Sequence, residues 1–412
     1  MTKYGVLSLT FVAAIACGGS DTSPSITPPV TTPVVTSIVV SASVSSMNVG
    51  NTLQLTATPR DAQGRAMSAT LTWTSGTPSV ASVSSLGLVS GIAIGGATIT
   101  ATAGAVAGSY AITVTDPASF VAGQSYFGRN NYIEYIAGNA PVILTAPHGG
   151  ALAPSTIADR TAAACGGAAT TVTDGNTAEL ARAMQQRFFA RFGTYPHVVI
   201  SHLSRRKLDA NRVQPEAACG NAEAAVALDE WHAFIETAKS AVLKMTGKGW
   251  YMDMHGHGHT VQRLELGYLL TDAQLNFSDA TLDASTTYES AASMRTVSLF
   301  SPLTFSALLR GASSLGTLYA NNGFPAIPSA TDPRPNGADY FDGGDNTRRH
   351  TCGGSATVFG GVTGGNICGV QIETNFTGVR DNAANRDRFG DATATVLEEY
   401  LRMHWGIRLA TP

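Results

Sequence analysis

Two periodicities divide the chain. Between residues 37 and 115 apolar and polar positions alternate in short segments, among them Ser37-Ile38-Val39-Val40-Ser41, Leu53-Gln54-Leu55-Thr56-Ala57, Leu71-Thr72-Trp73-Thr74 and Ala97-Thr98-Ile99-Thr100-Ala101. Period-two runs rich in Val, Ile and Thr, with a turn roughly every 8 to 12 residues, predict an all-β sandwich. Trp73 is expected in its core. From about Phe120 the pattern changes. Asn176 to Phe192 places Leu180, Ala181, Met184, Phe188 and Phe189 at helical spacing; Ala222 to Met245 and Ala392 to Trp405 do likewise. Between these lie apolar runs that read as buried strands: 141–145, 197–201, 250–254 and 369–373. Strands alternating with helices predict that residues 120–412 form an α/β domain, its sheet mixed but mostly parallel and flanked by helices.

The amino terminus has a different texture. Lys3 supplies a positive end, Val6 to Ile15 a short apolar run, and Ala14-Ile15-Ala16-Cys17 a small-residue cleavage site ending in cysteine. That run is shorter than the ~20 residues a spanning helix needs. Cysteine directly after such a site resembles the lipobox of bacterial lipoproteins, in which Cys17 becomes the lipid-bearing new terminus; an ordinary signal peptide is the alternative. Residues 18–36, with Pro24, Pro28, Pro29 and Pro33 among Ser and Thr, read as a semi-extended tether. The chain is thereby expected outside the cytoplasm, on a membrane through a lipid anchor alone. Four further cysteines, Cys165, Cys219, Cys352 and Cys368, are an even number in an exported chain and point to disulfides. Of the three possible pairings, Cys165–Cys219 and Cys352–Cys368 join the partners nearest in sequence. A four-cysteine zinc site is disfavoured because the chain has no C-x-x-C pair.

Composition narrows the function classes. With 26 Lys and Arg against 29 Asp and Glu the net charge is -3, which lacks the basic excess of a nucleic-acid binder. An apolar share of 44% excludes disorder throughout, and a mean hydropathy of +0.07 excludes a multi-span membrane protein.

Candidate chemistry collects beyond the strands of the second domain, where α/β folds place reactive groups. The first strand runs into Ala146-Pro147-His148-Gly149-Gly150, the second into Ser204-Arg205-Arg206-Lys207-Leu208-Asp209-Ala210-Asn211-Arg212, and the third into Asp253-Met254-His255-Gly256-His257-Gly258-His259. The fourth reaches Glu373-Thr374-Asn375. Each piece has an ordinary structural explanation: hydrogen-bonded loop histidines at His197 or His350, a solvated basic loop at 205–207, an ion pair between Asp209 and Arg212. Their succession on strand ends argues for one rim. His255, His257 and His259 alternate and so share a face of an extended segment. A metal hydrolase needs this set. Catalytic zinc takes three protein ligands, often two His and a carboxylate, and lowers the pKa of a bound water to ~7. A nearby carboxylate moves that water's proton, a guanidinium steadies the oxyanion, and a second Arg with an Asn grips a substrate carboxylate.

Two resemblances sharpen these expectations. Residues 37–115, in the order Trp73-Thr74-Ser75, Val80-Ala81-Ser82-Val83, Gly87-Leu88-Val89-Ser90-Gly91 and Gly95-Gly96-Ala97-Thr98-Ile99-Thr100-Ala101, resemble a bacterial immunoglobulin-like group 2 domain. The resemblance implies a spacer, or else an adhesive module. Residues from about 140 to 380 resemble the N-formylglutamate amidohydrolase family, related to zinc carboxypeptidases and aspartoacylases, with a phosphorylase/hydrolase-like fold. The matching pieces are Pro147-His148-Gly149-Gly150, Asp174-Gly175-Asn176-Thr177-Ala178-Glu179-Leu180, Arg205 with Asp209-Ala210-Asn211-Arg212, Asp253-Met254-His255-Gly256, Tyr340-Phe341-Asp342-Gly343-Gly344 and Gln371-Ile372-Glu373. Carried over, it implies one zinc ion on His148 and His255, Glu373 as general base and acid, Arg205 as oxyanion stabiliser, and Asn211 with Arg212 on a substrate carboxylate. The H-x-x-E pair of related carboxypeptidases is missing, since Gly149, Gly150 and Ala151 follow His148. Asp174 is the expected third ligand; capping the following helix is its alternative role. The implied activity is an exported zinc amidohydrolase or carboxypeptidase acting on a small acidic N-acyl amino acid or peptide. The alternative is an inactive surface-binding or adhesion protein on the same fold. A serine hydrolase is disfavoured because no G-x-S-x-G elbow occurs.

Overall fold

Alternation along the first strands puts Ile38, Leu53, Leu55, Val89, Ile99, Ile112 and Val114 on the inner side of a β unit, where all are buried. The computed structural model describes residues 34–115, 120–353 and 365–409; the expected signal segment 1–17, its Cys17 and most of the 18–36 tether lie outside the described residues. Within these bounds 34–47 and 52–114 form one compact unit, and Asn48–Asn51 with the residues from 115 onward form the other.

The first unit contains β1 (Ser37–Ser41), β2 (Ser46–Asn48), β3 (Thr52–Gln54), β4 (Thr56–Arg60), β5 (Thr72–Ser75), β6 (Ala81–Val83), β7 (Leu88–Gly91), β8 (Gly95–Ala103) and β9 (Val106–Thr115). β1-β4, β9-β8-β5 and β3-β7-β6 pair antiparallel, and β2 lies beside β9 at the edge of the second group. Trp73 departs from expectation. It is half-buried on β5, over Gly87, where a Cβ would lie 2.8 Å from the indole. Aliphatic side chains fill the core instead.

The second unit is an α/β domain. Its strands are β10 (Ser125–Phe127), β11 (Ile133–Ile136), β12 (Val142–Ala146), β13 (His197–Ser201), β14 (Gly249–Gly256), β15 (Leu264–Gly267), β16 (Ala326–Ile327) and β17 (Ile367–Thr374). They form one sheet in the order β10-β11-β13-β12-β14-β17-β15-β16. The central β13-β12-β14-β17 are parallel, while β10, β11 and β15 join antiparallel. Hence the sheet is mixed and mostly parallel at its middle. The main helices are α2 (Thr177–Phe192), α3 (Ala222–Thr246) and α11 (Ala383–Trp405). Shorter ones are α1 (Ala162–Cys165), α4 (Asp272–Leu275), α5 (Asp279–Asp283), α6 (Thr286–Ala291), α7 (Arg295–Phe300), α8 (Phe305–Arg310), α9 (Leu315–Asn321) and α10 (Asp345–His350).

Strand parity assigns the faces. Val142, Leu144, Trp250, Met252, Val370 and Ile372 pack with Met184 and Phe188 of α2 and Phe389, Leu397 and Tyr400 of α11. Ile143, Val199 and Tyr251 face the other way, onto Ala227, Leu228, Trp231, Ile235 and Val242 of α3. Every second residue thus enters one of two cores, as the pleat requires. Asn221 starts α3 by accepting the Ala224 N–H at 2.9 Å, and Gly247 ends it in the left-handed conformation at φ 71. α11 begins at Ala383, well before the apolar pattern starting at Ala392, because Asn382 caps it and its first turns are largely exposed. Cys165–Cys219 and Cys352–Cys368 are bonded. Among the described residues no helix is long and apolar enough to cross a membrane.

This topology positions a site. From β12 the chain adds β13 on one side, then crosses through α3 to add β14 on the other. Open α/β sheets form a crevice at such a reversal, at the carboxyl ends of the strands. β12 and β14 end in the two histidine-bearing loops.

Candidate metal centre

The β12 loop brings His148 into place through a close approach that only glycine permits. A Cβ on Gly149 would lie 2.6 Å from the Ala178 nitrogen and 2.8 Å from Thr177 Oγ1, so the loop rests against the first turn of α2. That contact sets His148 beside Asp174, whose backbone N–H donates to the His148 carbonyl at 3.1 Å. Asn176, not Asp174, occupies the N-cap position of α2, which leaves the Asp174 carboxylate pointing elsewhere. On β14, His255 has the parity of Tyr251 and Asp253 and faces the α3 side.

The two imidazoles meet at one carboxylate oxygen. His148 Nδ1 lies 3.2 Å and His255 Nδ1 3.1 Å from Asp174 Oδ2, with ring centroids 4.7 Å apart. All three residues are buried, and one donor atom from each lies within 4.8 Å of the others. The opposite edges of the rings are backed by separate acids. His148 Nε2 is 2.7 Å from Asp209 Oδ1, and His255 Nε2 is 3.0 Å from Asp253 Oδ2. Such carboxylate backing fixes the tautomer in which Nδ1 carries the lone pair, and makes it a better donor. Donors held at ~2.0–2.2 Å around a tetrahedral ion lie roughly 3.3–3.6 Å apart, close to the spacings here. The N, N, O set therefore fits a divalent cation such as zinc. A proton between Nδ1 and Oδ2 and a cation compete for the same lone pairs.

The backing acids are themselves held. Thr145 Oγ1 donates to Asp253 Oδ1 at 2.6 Å, and Asn346 Nδ2 lies 3.5 Å from the same oxygen. Arg205 Nε donates to Asp209 Oδ2 at 3.0 Å, and Arg160 stands 3.7 Å from that oxygen. Burial opposes ionisation of Asp174 and Asp209, but the imidazole of His148 overrides it at both, joined by His255 at Asp174 and by Arg205 and Arg160 at Asp209. Both carboxyls are held well below the usual range. Burial opposes protonation of His255; Asp253 and Asp174 more than offset it and raise that group.

Glu373 lies in register with His255 across β14 and β17, and with Glu265 across β17 and β15. Burial pushes its carboxyl up to about 8, with the negative fields of Asp174 and Glu265 adding to the effect and His255 opposing it. Gln371 Nε2 donates to Glu373 Oε1 at 2.9 Å, while Oε2 is buried without a partner among the described residues. This oxygen belongs to a side chain in direct register with His255.

The structure brings His148, Asp174, His255 and Arg205 together; Arg205 Nη1 lies 3.6 Å from Asp174 Oδ1. Asn211 stands behind His255 instead of before it. Its Nδ2 is 3.2 Å from His255 Nε2 and 3.4 Å from Gln371 Oε1, and its Oδ1 accepts the Asn346 N–H at 2.8 Å. Arg212 is further out: it donates to the Asn211 carbonyl at 2.9 Å and lies 3.7 Å from Glu216, so Asp209 is not its ion-pair partner. Sequence reasoning missed Thr145, Asn346 and Arg380. The first had a signal, a hydroxyl one residue from the end of an otherwise apolar β12. Arg380 had none. Its Nη1 donates to the Gly175 carbonyl and its guanidinium packs where a Cβ on Gly256 would lie 2.2 Å from it, tying the start of α2 to the end of β14.

Residues 34–114 match the family model described as bacterial Ig-like domain (group 2), and they are such a domain. No curated protein matches the chain. Among solved structures, domains 4 and 5 of the S-layer protein SbsC align with 20% of this chain at 26% identity and a TM-score of 0.19; the chain spans 54% of that fragment's length. N-formylglutamate amidohydrolase from Ralstonia eutropha JMP134 aligns over 66% of this chain and 95% of its own, at 11% identity and a TM-score of 0.35. A gene product of Agrobacterium tumefaciens aligns over 66% and 94%, at 15% identity and a TM-score of 0.33.

Proposed function

We propose that the α/β unit is a metal-dependent amidohydrolase, zinc being the cation its donors suit best, acting on an amide bond next to a carboxylate. The observation that carries this is the convergence of two buried imidazoles, each presenting Nδ1 to Asp174 and each backed at Nε2 by its own acid. A structural ion pair needs no such duplicate backing. A divalent cation bound there would polarise the amide carbonyl and supply a nucleophilic water at neutral pH.

The chain's own groups provide the rest. Glu373, through its unpartnered Oε2, takes a proton from the attacking water and returns it to the leaving amine. Arg205, anchored by Asp209, holds a positive charge beside the cluster where the oxyanion develops. Arg212 grips the substrate carboxylate, while Asn211, which accepts the Asn346 N–H and reaches Gln371 Oε1, packs behind the His255 ring. The substrate is thus a small acidic N-acyl amino acid or the carboxyl end of a peptide.

Two disulfides suit an oxidising compartment, and this supports export. Anchoring through a lipid on Cys17, with 18–36 as the tether and the Ig-like domain as a spacer, completes the reading. Mass spectrometry of the mature amino terminus tests it: a diacylglyceryl cysteine at position 17 is expected, and a free residue there contradicts it.

The enzymatic reading is tested on the purified full chain with N-acyl glutamate and aspartate substrates. Glu373→Ala should lose hydrolysis by ~10²–10⁴-fold with metal content and melting temperature preserved. His148→Ala should lose one bound ion. A chain that binds no stoichiometric metal, or keeps its full complement after His148→Ala, is an inactive surface-binding protein instead.

A further inference from the structure

Beyond Gly256 the chain continues from β14 as His257-Gly258-His259, then returns as β15 with Glu265. His257 is buried, and its Nε2 donates to the Arg263 carbonyl at 2.8 Å. That bond leaves the lone pair on Nδ1, where it accepts the His259 N–H at 3.1 Å. His259 Nδ1 lies 2.8 Å from Glu265 Oε1. The other Glu265 oxygen accepts the Phe341 N–H at 2.9 Å, and the Phe341 ring lies against the His259 ring with centroids 4.7 Å apart. One donor atom from each of His257, His259 and Glu265 falls within 4.8 Å of the others.

This repeats the arrangement at His148, Asp174 and His255. In both places two imidazoles and a buried carboxylate converge, and a carbonyl or acid behind a ring fixes which nitrogen carries the lone pair; at His257 an ion would take that lone pair from the His259 N–H. A second observation points the same way. Glu265 and Glu373 are directly opposed on neighbouring antiparallel strands and point to the same face, both buried. Two ionised carboxylates so placed repel, and among the described residues Glu373 Oε2 has no hydrogen-bond partner. Glu265 meets the His259 imidazole on its own side, and a cation there would supply the fixed positive charge that a neutral ring does not. Arg263, the nearest arginine in sequence, is committed to Asp332 at 2.7 Å.

We propose that His257, His259 and Glu265 hold a second divalent cation, so that Glu373 stands in register between two metal positions. Nitrogen and carboxylate donors favour zinc or a neighbouring first-row ion over calcium or magnesium. The ion would take the place of the proton now shared by His259 Nδ1 and Glu265. The second site shares no ligand with the first, so it stands or falls separately from the hydrolase reading.

Ion counting on the tag-free full chain, equilibrated with zinc and desalted, decides it. Two ions per chain are expected by inductively coupled plasma mass spectrometry. Glu265→Gln, which keeps an acceptor for the Phe341 N–H, and His259→Asn should each reduce the count to one. His148→Ala should also leave one, and His148→Ala with Glu265→Gln none. Circular dichroism melts confirm that each variant folds, and should Glu265→Gln fail to fold, His257→Gln, which can still donate to the Arg263 carbonyl, replaces it. One ion in the wild type that His148→Ala removes and Glu265→Gln retains overturns the second site and leaves the first intact. One ion with the reverse pattern supports the second site and overturns the first. Two ions unaffected by Glu265→Gln, His259→Asn and His257→Gln overturn the proposal.

Discussion

Asp253→Asn isolates the backing of a single histidine. Among the described residues Asp253 makes no ion pair with an arginine: His255 Nε2 is 3.0 Å away, Thr145 Oγ1 2.6 Å and Asn346 Nδ2 3.5 Å, with the Tyr251 hydroxyl also bonded to it. Asparagine has the same shape without the charge, so volume and packing are conserved. Its side chain can settle in two ways. With the carbonyl toward His255, the tautomer survives but the acceptor is neutral and weaker. With the amide toward His255, Nε2 must accept, the proton moves to Nδ1, and the ring can no longer donate a lone pair toward Asp174. Outer-shell partners of ligating histidines are worth about 10–100-fold in metal affinity, or ~1.4–2.7 kcal/mol. The first orientation belongs at the low end of that range and the second at the high end. Competition titration against a chromogenic chelator at neutral pH measures the change, alongside a thermal melt of the metal-free protein. Affinity within about threefold of wild type in a folded variant would show that the carboxylate does not tune the ring, and the account of the duplicate backing would fail.

Acid sensitivity follows from His197 and His350, both buried, and the half-buried His232, all on the α3 side. Burial lowers His197 to about 3, His232 to about 2 and His350 to about 4, from 6.5. The unfolded chain takes up these protons as pH falls below 6.5 while the folded chain does not, so protons favour unfolding and stability declines from 6.5 towards 4. Each group contributes up to about 1.4 kcal/mol per pH unit. Urea midpoints across this range should fall in the wild type and less steeply in His197→Asn, whose carbonyl can still accept from Tyr135 and Gly138; parallel slopes would contradict the reading. The disulfides close stretches of different length, with sequence separations of 54 for Cys165–Cys219 and 16 for Cys352–Cys368. Chain entropy makes them worth about 4 and about 3 kcal/mol respectively. Double Cys→Ser variants compared by denaturant titration should therefore rank in that order, and a reversed order would refute it.

Much of this architecture is written in local pattern. The four central strands and the two longest connecting helices follow from unbroken apolar runs and 3.6-residue spacing, because residues buried on both faces of a parallel sheet must all be apolar. The strand-end rule then places His148 and His255 at one end of neighbouring strands. Which acid they meet is not local. Asp174 opens a helix, where a cap is the ordinary role, and only the packing of Gly149 on α2 turns its carboxylate inward. Asn211 looks like a surface ligand in sequence, yet Gly344 lets the α10 segment close over it, and Asn346 reaches the site from far along the chain. The strands β10, β11, β15 and β16 were not legible because they are short. Glu265 is a buried acid on one of them, and a polar residue argues against a core strand until its partners are known. Trp73 shows the converse: a large aromatic in an alternating run lies half-buried over a glycine turn.

The most direct test is anomalous diffraction at the zinc edge from crystals of the full chain grown with zinc. A peak at ~2.0–2.2 Å from His148 Nδ1, His255 Nδ1 and an Asp174 oxygen, with Glu373 facing the ion's open side, is the predicted result. A fully refined structure in which those three side chains keep their mutual hydrogen bonds and no anomalous peak lies among them would contradict the central claim.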